Sequence, residues 1–458
     1  MHHLTNNDIL TLHRNVLRVL EEVGLQIKHP KLLEALAGIG AKTDPANSRV
    51  QFPRAMVEEF LAGLPKVDWG ARRPTLTVRA SFFEGFYQDA RTGALSNMDA
   101  QRVQEYFTVA RALPNVDYAF ITGCPWFGRR EDEPLNERLF AWRMGSRYSG
   151  ILYPKESAQR LLDLYQAYAQ LQNRTVPEVF HGTVFLVSPL KFTAEESEQY
   201  VWWWEHGCPV EVLHMSTAGL TGPVTTAGLA VINVAEEIGL ALLRKACYGR
   251  SALRLFVMVA PVDMRTMVRP YGSPEMCLEH RVIVGLARHY GVDCFLHTGL
   301  SDAKVPSHES GAQKALSALN GLLTGADAFL DAGLLGMDTV YSPLQMILDN
   351  ELAGSLRRML QPIECSEEAI GFEAIAEAGP GGLFTGLPHT SERFRGELWF
   401  PSIWSRNVVG AWQEAGAKSD LDLARERFEK IVAHPEPLQG LGAEAERALR
   451  RHVKLEEA

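Results

Sequence analysis

Long apolar runs are missing from this chain: no stretch approaches the roughly 18 consecutive apolar residues that a membrane span needs. Cysteine is sparse and scattered. Cys124, Cys208, Cys247, Cys277, Cys294 and Cys365 form no C-x-x-C pair, which argues against a disulfide framework and for reduced, buried thiols in the cytosol. Positive charge is not in excess either. The net charge of −9 argues against non-specific binding to nucleic acid. Phosphate-loop, H-E-x-x-H and nucleophile-elbow patterns are absent. The glycine-rich "GPGGLFTG" at 379–386 precedes a strand-like run instead of joining a strand to a helix, so it fails the context of a dinucleotide fingerprint. There is no low-complexity linker and no internal repeat. The opening "MHHLTNNDIL" lacks the charged-then-apolar signature of a secretory leader, and a cytoplasmic protein is expected.

What is present is the composition of a cored globular protein, with 46% hydrophobic and 22% charged residues. The 458 residues suit an α/β barrel with extensions. Leu12, Val16, Val19, Leu20 and Val23 follow helical spacing after a Thr5–Asp8 capping pair, with Gly24 as a stop. Further helices are expected after Pro30 and from about Arg54. Residues Phe82–Leu95 read as a hairpin turning at Thr92-Gly93.

From about residue 99 short apolar runs alternate with helical segments. The runs are Tyr118–Ile121, Gly150–Tyr153, Val179–Val187, Val210–Leu213, Leu253–Val259, Val292–His297, Ala328–Leu330 and Leu383–Thr385. Helix-period stretches such as Ala158–Leu171 and Thr225–Lys245 lie between them. Such alternation predicts a parallel sheet buried on both faces, and the number of runs predicts a (β/α)8 TIM barrel. The expected organisation is an N-terminal helical segment with a hairpin over 1–98, a barrel over 99–398 and a C-terminal helical extension over 399–458. Thr221-Gly222-Pro223 and Ser273-Pro274-Glu275 are expected to open the helices that follow the fourth and fifth strands.

In such a barrel, chemistry sits just after each strand. Those positions hold Cys124, Trp126 and Phe127, then Tyr153, Ser188, His214, Asp263, His297, Asp302, Asp331 and His389. His181, His214, His297, Asp331 and His389 could converge on a metal as in barrel hydrolases, although no local ligand pair exists. Trp126, Phe127 and Phe384 could line a box for a cation; aromatic residues at strand ends also simply cap cores. Trp202-Trp203-Trp204 reads as outer-helix packing. The loop "GRREDEPLNER" at 128–138 reads as solvated, or as a lid or docking surface.

Several stretches, in order and spacing, resemble the trimethylamine methyltransferase family. They are "VLEEVGLQIKHPKLLEALAGIGAK", "VQFPRAMVEEFLAGLP", "STAGLTGPVTTAGLAVINVAEEIGLALL", "VDMRTMVRPYGSPE", "TGLSDAKVPSHESGAQKAL" and "AGPGGLFTGLPHTSERFRGELWFP". The resemblance implies an α/β barrel that moves a methyl group from an amine to the Co(I) of a corrinoid protein. It implies no tightly bound cofactor of the chain's own, the cobalamin being carried by the partner. Members acting on trimethylamine carry pyrrolysine. This chain has only the standard residues, which implies a quaternary amine such as glycine betaine.

Carried onto this chain, Trp126, Phe127 and Phe384 become the cation box. His389 in "LPHT" becomes the residue that orients the substrate's polar end, and Asp302 in "SDAK" balances charge or fixes its loop. His297 stands where relatives commonly have glycine. Ser307, Glu309, Ala312 and Gln313 also depart from the family pattern, close to the expected pocket. The expected partners are a small methylated amine, a corrinoid protein and further copies in a homo-oligomer, with no nucleic acid and no membrane. The rival readings are metal-dependent hydrolysis and non-catalytic binding of a methylated cation.

Overall fold

The computed structural model describes residues 4–82, 85–121, 132–146, 150–152, 155–437 and 440–453. The first helix, Asn6–Arg18, opens on the expected capping box: the Thr5 hydroxyl accepts from the Asp8 amide at 3.2 Å, and the Asp8 carboxylate accepts from the Thr5 amide at 2.8 Å. This helix and Pro30–Gly38 pack on the helix Thr226–Tyr248. That 23-residue helix is apolar and long enough to cross a membrane by length and composition, but most of it is buried within the protein. It is a core helix. The predicted hairpin is present, with Phe86–Gln88 antiparallel to Leu95–Asn97.

The centre of the molecule is a mixed α/β fold with parallel strands, here named β1 (Leu76–Phe82), β2 (Tyr118–Ile121), β3 (Gly182–Phe185), β4 (Val210–Leu213), β5 (Arg254–Val257), β6 (Asp293–Thr298) and β7 (Asp327–Ala332). One sheet runs β5-β6-β7-β1-β2. β3 pairs with β4, and Ile151 bridges to Thr183 on β3. Ser216–Ala218, just beyond β4, pairs with Val259–Pro261, just beyond β5. Every one of these pairings is parallel. Among the described residues, no ladder joins β2 to Ile151.

Two expectations are corrected. Leu383–Thr385 is not a strand; it lies in exposed turns. The strand that pairs with β7 is instead Leu76–Phe82, which also pairs with β2. Its sequence alternates Thr77, Arg79 and Ser81 with Val78 and Ala80. Polar residues on one face hid the strand from a search for continuous apolar runs. Thr221-Gly222-Pro223 does not cap the long helix either. Thr225 does, accepting the Gly228 amide on its hydroxyl at 3.3 Å. Ser273 caps Pro274–Tyr290 as expected.

Alternate strand residues serve two layers. Gly321, on the helix His308–Leu323, lies against Thr298, Leu296 and Ala328, so those positions face the outer helices. The opposite parity builds the interior in tiers. Near the strand starts, Arg72 forms ion pairs with Asp293 and Asp327. Above it Phe256, Phe295 and Phe329 stack, with ring centroids 5.0 to 6.1 Å apart. The tier at the C-terminal strand ends is polar.

Candidate active site at the strand C-termini

Asp331 ends the inward-facing row of β7 and is fully buried. Arg79 on β1 grips its carboxylate with Nε and, at 3.1 Å, with Nη2. The Ser81 hydroxyl donates to it at 3.1 Å, and His297 on β6 donates from Nε2. Burial opposes charge on Asp331, yet Arg79 and His297 together hold its carboxyl well below the usual range. Burial in turn pushes the His297 imidazole down against the pull of Asp331, so His297 is neutral and keeps Nδ1 as an acceptor. The Arg79 guanidinium carbon lies 3.7 Å from the centre of the Phe329 ring and 5.0 Å from that of Phe120, while the His297 ring lies 4.5 Å from Phe329. The aromatic tier thus floors the charged one.

The loops beyond β5, β6 and β7 close over this cluster and are knitted together. Asp302 accepts the Tyr271 and Gly272 amides at 2.7 and 3.0 Å. Gln313 Oε1 accepts from the Ser301 hydroxyl at 2.7 Å and the Asp302 amide at 2.9 Å. Beyond β7, the Gly336 and Met337 amides bond Ala303 and Ser301 carbonyls. Gly336, Met337 and Asp338 are three successive left-handed residues, with φ of 59°, 58° and 67°, a conformation that costs free energy at the two non-glycine positions. This turn brings Asp338 among Tyr271, Asp331, Arg269 and Arg79. Burial first, then Asp331, pushes the Asp338 carboxyl up to about 7.

The Asp338 carboxyl meets the Tyr271 side chain, yet one atom of each of two groups here is left unpaired. Asp338 Oδ1 and Arg269 Nε are shut off from solvent and have no hydrogen-bond partner among the described residues. Arg269 spends its other nitrogens on the Met258 carbonyl at 2.7 Å and the Tyr271 hydroxyl at 3.4 Å. Unpaired buried polar groups are costly, and a pair of opposite character beside a charged cluster suits a ligand that carries both signs.

Other buried polar groups are structural. His214 sits between Glu236 and Glu237, at 2.8 and 3.1 Å. Burial opposes its charge, but the Glu236 carboxylate leads in lifting it to about 10. Glu236 also receives the Ser188 and Ser216 hydroxyls, each at 2.9 Å, so this triad locks the long helix to the strands. Lys314 bonds the Gly299 and Asp331 carbonyls and Asp349, all at 2.9 Å, tying two helices to the ends of β6 and β7.

Of the residues predicted for the site, His297 joins the Arg79–Asp331 cluster and Asp302 holds the neighbouring loop. Trp126 and Phe127 lie outside the described residues, as do Cys124 and Tyr153. Phe384 is 43% exposed in a turn. His389 starts the helix Pro388–Glu397 and packs against Gly371, where an added Cβ would come within 2.6 Å of its ring. Those elements follow the helix Pro343–Met359, whose Arg357 bonds the Leu76 carbonyl and Asp117 at the starts of β1 and β2. Among the described contacts, His389 packs on Gly371 and neither it nor Phe384 touches His297, Arg79 or Asp331. Of the five residues weighed as metal ligands, only His297 and Asp331 meet, and no group of three His, Cys, Asp or Glu with metal-binding geometry occurs among the described residues. Arg79, Ser81, Arg269, Tyr271 and Asp338 were missed. For the first two the signal was the alternation in "LTVRASF". Asp338 carries none, because its placement depends on a turn whose two non-glycine left-handed residues the sequence does not announce.

A cavity of about 440 Å³ opens elsewhere, between Ser402-Ile403 and the helix Asp420–Ala433, lined by Glu426, Arg427, Lys430 and His434 among others. It is a surface cleft without an orphaned buried group among those residues.

The loops beyond the strand C-termini also carry apolar residues. Met215, Leu220 and Val224 beyond β4, Met264 and Met267 beyond β5, and Val305 beyond β6 are all exposed. A Cβ on Gly219 would lie 3.5 Å from Val224 and 3.6 Å from Met264, so the first two loops meet. Exposed apolar residues clustered on one face mark a contact surface, and methionine suits one that must adapt.

Comparison with known proteins matches residues 1–92 and 148–458 to the family described as trimethylamine methyltransferase (MTTB). The chain is 24% identical to the trimethylamine methyltransferase MttB of Methanosarcina barkeri, over 93% of this chain and 90% of that one. It is 25% identical to the glycine betaine methyltransferase of Desulfitobacterium hafniense, over 95% and 93%. A solved structure of the monomethylamine methyltransferase MtmB of Methanosarcina barkeri aligns over 93% of this chain and 92% of that one, at 9% identity and a TM-score of 0.46.

Proposed function

The chain belongs to the trimethylamine methyltransferase family and is a methyltransferase, and we propose that it moves a methyl group from a quaternary, betaine-like amine to the corrinoid of a separate protein in the cytoplasm. The fold we assign to it is a closed (β/α)8 barrel, with the chain at Ile151 as the third stave between β2 and β3.

The observation that carries the reading is the pair of unpaired groups, Asp338 Oδ1 and Arg269 Nε, beside the Arg79–Asp331–His297 cluster. A betaine has a fixed cation and a carboxylate. Asp338 faces the cation, and Arg269 takes the carboxylate through a charge-assisted hydrogen bond. The Arg79–Asp331 pair spends its charges internally, so the inner tier holds the loops rigid without competing for the ligand.

A quaternary nitrogen departs as a neutral tertiary amine and needs no proton donor. The protein's work is then orientation: one N-methyl must point out of the mouth in line with the acceptor. The partner's reduced corrinoid supplies the nucleophile when it docks. The apolar collar formed by Met215, Leu220, Val224, Met264, Met267 and Val305 suits a docking surface that excludes water from that approach. Neutral His297 supports the site by fixing Asp331 and neither gains nor loses a proton.

The test is to mix the protein with a reduced corrinoid protein and glycine betaine, and to follow cobalt absorbance and dimethylglycine. Methyl arrival on cobalt with stoichiometric dimethylglycine is expected. Absence of transfer from every quaternary amine tried would overturn the reading.

A further inference from the structure

The helix Pro274–Tyr290 follows the loop that carries Arg269 and Tyr271. Its buried residues, among them Met276, Glu279, His280 and Ile283, recur at helical spacing and form the face turned into the fold. Two of these are unusual on such a face. Glu279 and His280 are 1% and 0% exposed, a depth that charged side chains reach only with partners. Yet Glu279 Oε2 and both ring nitrogens of His280 have no hydrogen-bond partner among the described residues. Buried charges on the neighbouring helices behave differently. Glu236 and Glu237 are spent on His214, and Lys314 on Asp349 and two carbonyls.

Both orphans lie against the site. Glu279 is within electrostatic reach of Arg269, whose Nε is itself unpaired, and of Glu275 one turn earlier on the exposed side of its own helix. His280 is within reach of His297. Burial, opposed by Arg269 and helped by Glu275, pushes the Glu279 carboxyl up to about 8. Burial, with His297 beside it, holds the His280 imidazole down at about 3. At neutral pH Glu279 is thus an uncharged acid with a proton to donate, and His280 offers one donor and one acceptor. An uncharged acid does not attract a cation. Unpaired donors around one fixed positive charge suit an anion, and a carboxylate has more acceptor sites than Arg269 Nε alone can fill.

We propose, resting on the betaine reading above, that Glu279 is a further specificity-determining residue: its carboxyl donates a hydrogen bond to the substrate's carboxylate beside Arg269, with His280 as a third donor. Such an acid-to-carboxylate hydrogen bond is short and charge-assisted, and neither partner gives up its proton during turnover. The two buried carboxyls of the site then have opposite tasks. Asp338 serves the cation when ionised, and Glu279 serves the anionic tail while it keeps its proton. Once Glu279 ionises, two carboxylates stand side by side, and recognition of the tail is lost.

Demethylation kinetics of the full chain with glycine betaine and with tetramethylammonium test this. Glu279→Leu should raise KM for glycine betaine about tenfold, the worth of a charge-assisted hydrogen bond, and hardly move that for tetramethylammonium. Glu279→Gln keeps a donor and should recover most of the loss. Wild-type KM for glycine betaine should also climb about tenfold from about pH 8 to about pH 9.5, and that climb should be absent in Glu279→Gln. If Glu279→Leu does not fold, the pH profiles of the wild type and Glu279→Gln decide alone. Equal losses for both amines, or an alkaline climb that persists in Glu279→Gln, would overturn the proposal and leave Glu279 a structural group bonded to water. If the wild type demethylates glycine betaine and the substitutions alter only melting temperature, this inference falls and the betaine reading stands. A wild type that demethylates no quaternary amine overturns both.

Discussion

His297 and Asp331 meet side chain to side chain at the C-terminal ends of adjacent parallel strands, and Arg79 holds the same carboxylate from the strand on the other side. Three neighbouring strands thus contribute one residue each to a single buried charge centre.

Removing one member should leave the others uncompensated. Asp331→Asn strips Arg79 of its buried partner and should cost roughly 3–5 kcal/mol in urea unfolding. Arg79→Met combined with Asp331→Asn should recover part of that loss, yet methyl transfer should stay down in both. Equal stability losses in the single and double variants would show that the pair is not coupled.

Asp338 predicts a pH dependence. Folding lifts its carboxyl to about 7, so between about pH 4 and pH 7 the native state keeps a proton that the unfolded chain has lost, and stability drains away across that window as pH rises through about 7. Asp338→Asn should therefore stabilise the protein at pH 8 and do little below about pH 4, as read by melting temperature. A quaternary cation needs the ionised form, so its affinity should rise about tenfold between pH 6 and pH 8. That slope should vanish in Asp338→Asn; calorimetry on the wild type and the variant reads both.

Arg269 predicts selectivity. Arg269→Gln should raise KM for a betaine about 10- to 100-fold, the worth of a charge-assisted hydrogen bond. A quaternary amine without a carboxylate, such as tetramethylammonium, should be affected hardly at all. If both substrates weaken alike, Arg269 only supports Tyr271.

His389→Ala separates the sequence-based expectation from the observed geometry. Packed on Gly371, His389 should be dispensable for turnover, with kcat/KM within about twofold of wild type, well under 1 kcal/mol. A large loss of kcat/KM in an assembly of unchanged size would return His389 to the site.

Much of the scaffold was legible in the sequence because helices announce themselves at both ends. Thr5–Asp8 and Ser273-Pro274 marked starts that the structure keeps, and Ala158–Leu171 forms as read. Other strands were visible as apolar runs, as at Val210–Leu213 and Asp293–Thr298. β1 was not, since Thr77, Arg79 and Ser81 give it the pattern of an exposed strand although its polar face looks inward. Leu383–Thr385 misled in the opposite direction: its apolar residues lie on the surface. Within the site, His297 was recoverable from its position near the C-terminal end of a strand. Arg269 and Asp338 were not, because their roles depend on which of their atoms remain unpaired after three loops have interlocked.

Among the described residues, the interior beneath the cluster is packed. Arg72 with Asp293 and Asp327, then Phe256, Phe295 and Phe329, fill it from below. On the function proposed above, substrate and product would reach the cluster from the side where the methyl acceptor docks. The amine would then be seated before the partner arrives, and its demethylated remnant would leave after the partner lifts away. Turnover by that route would follow a compulsory order, and excess partner should slow it.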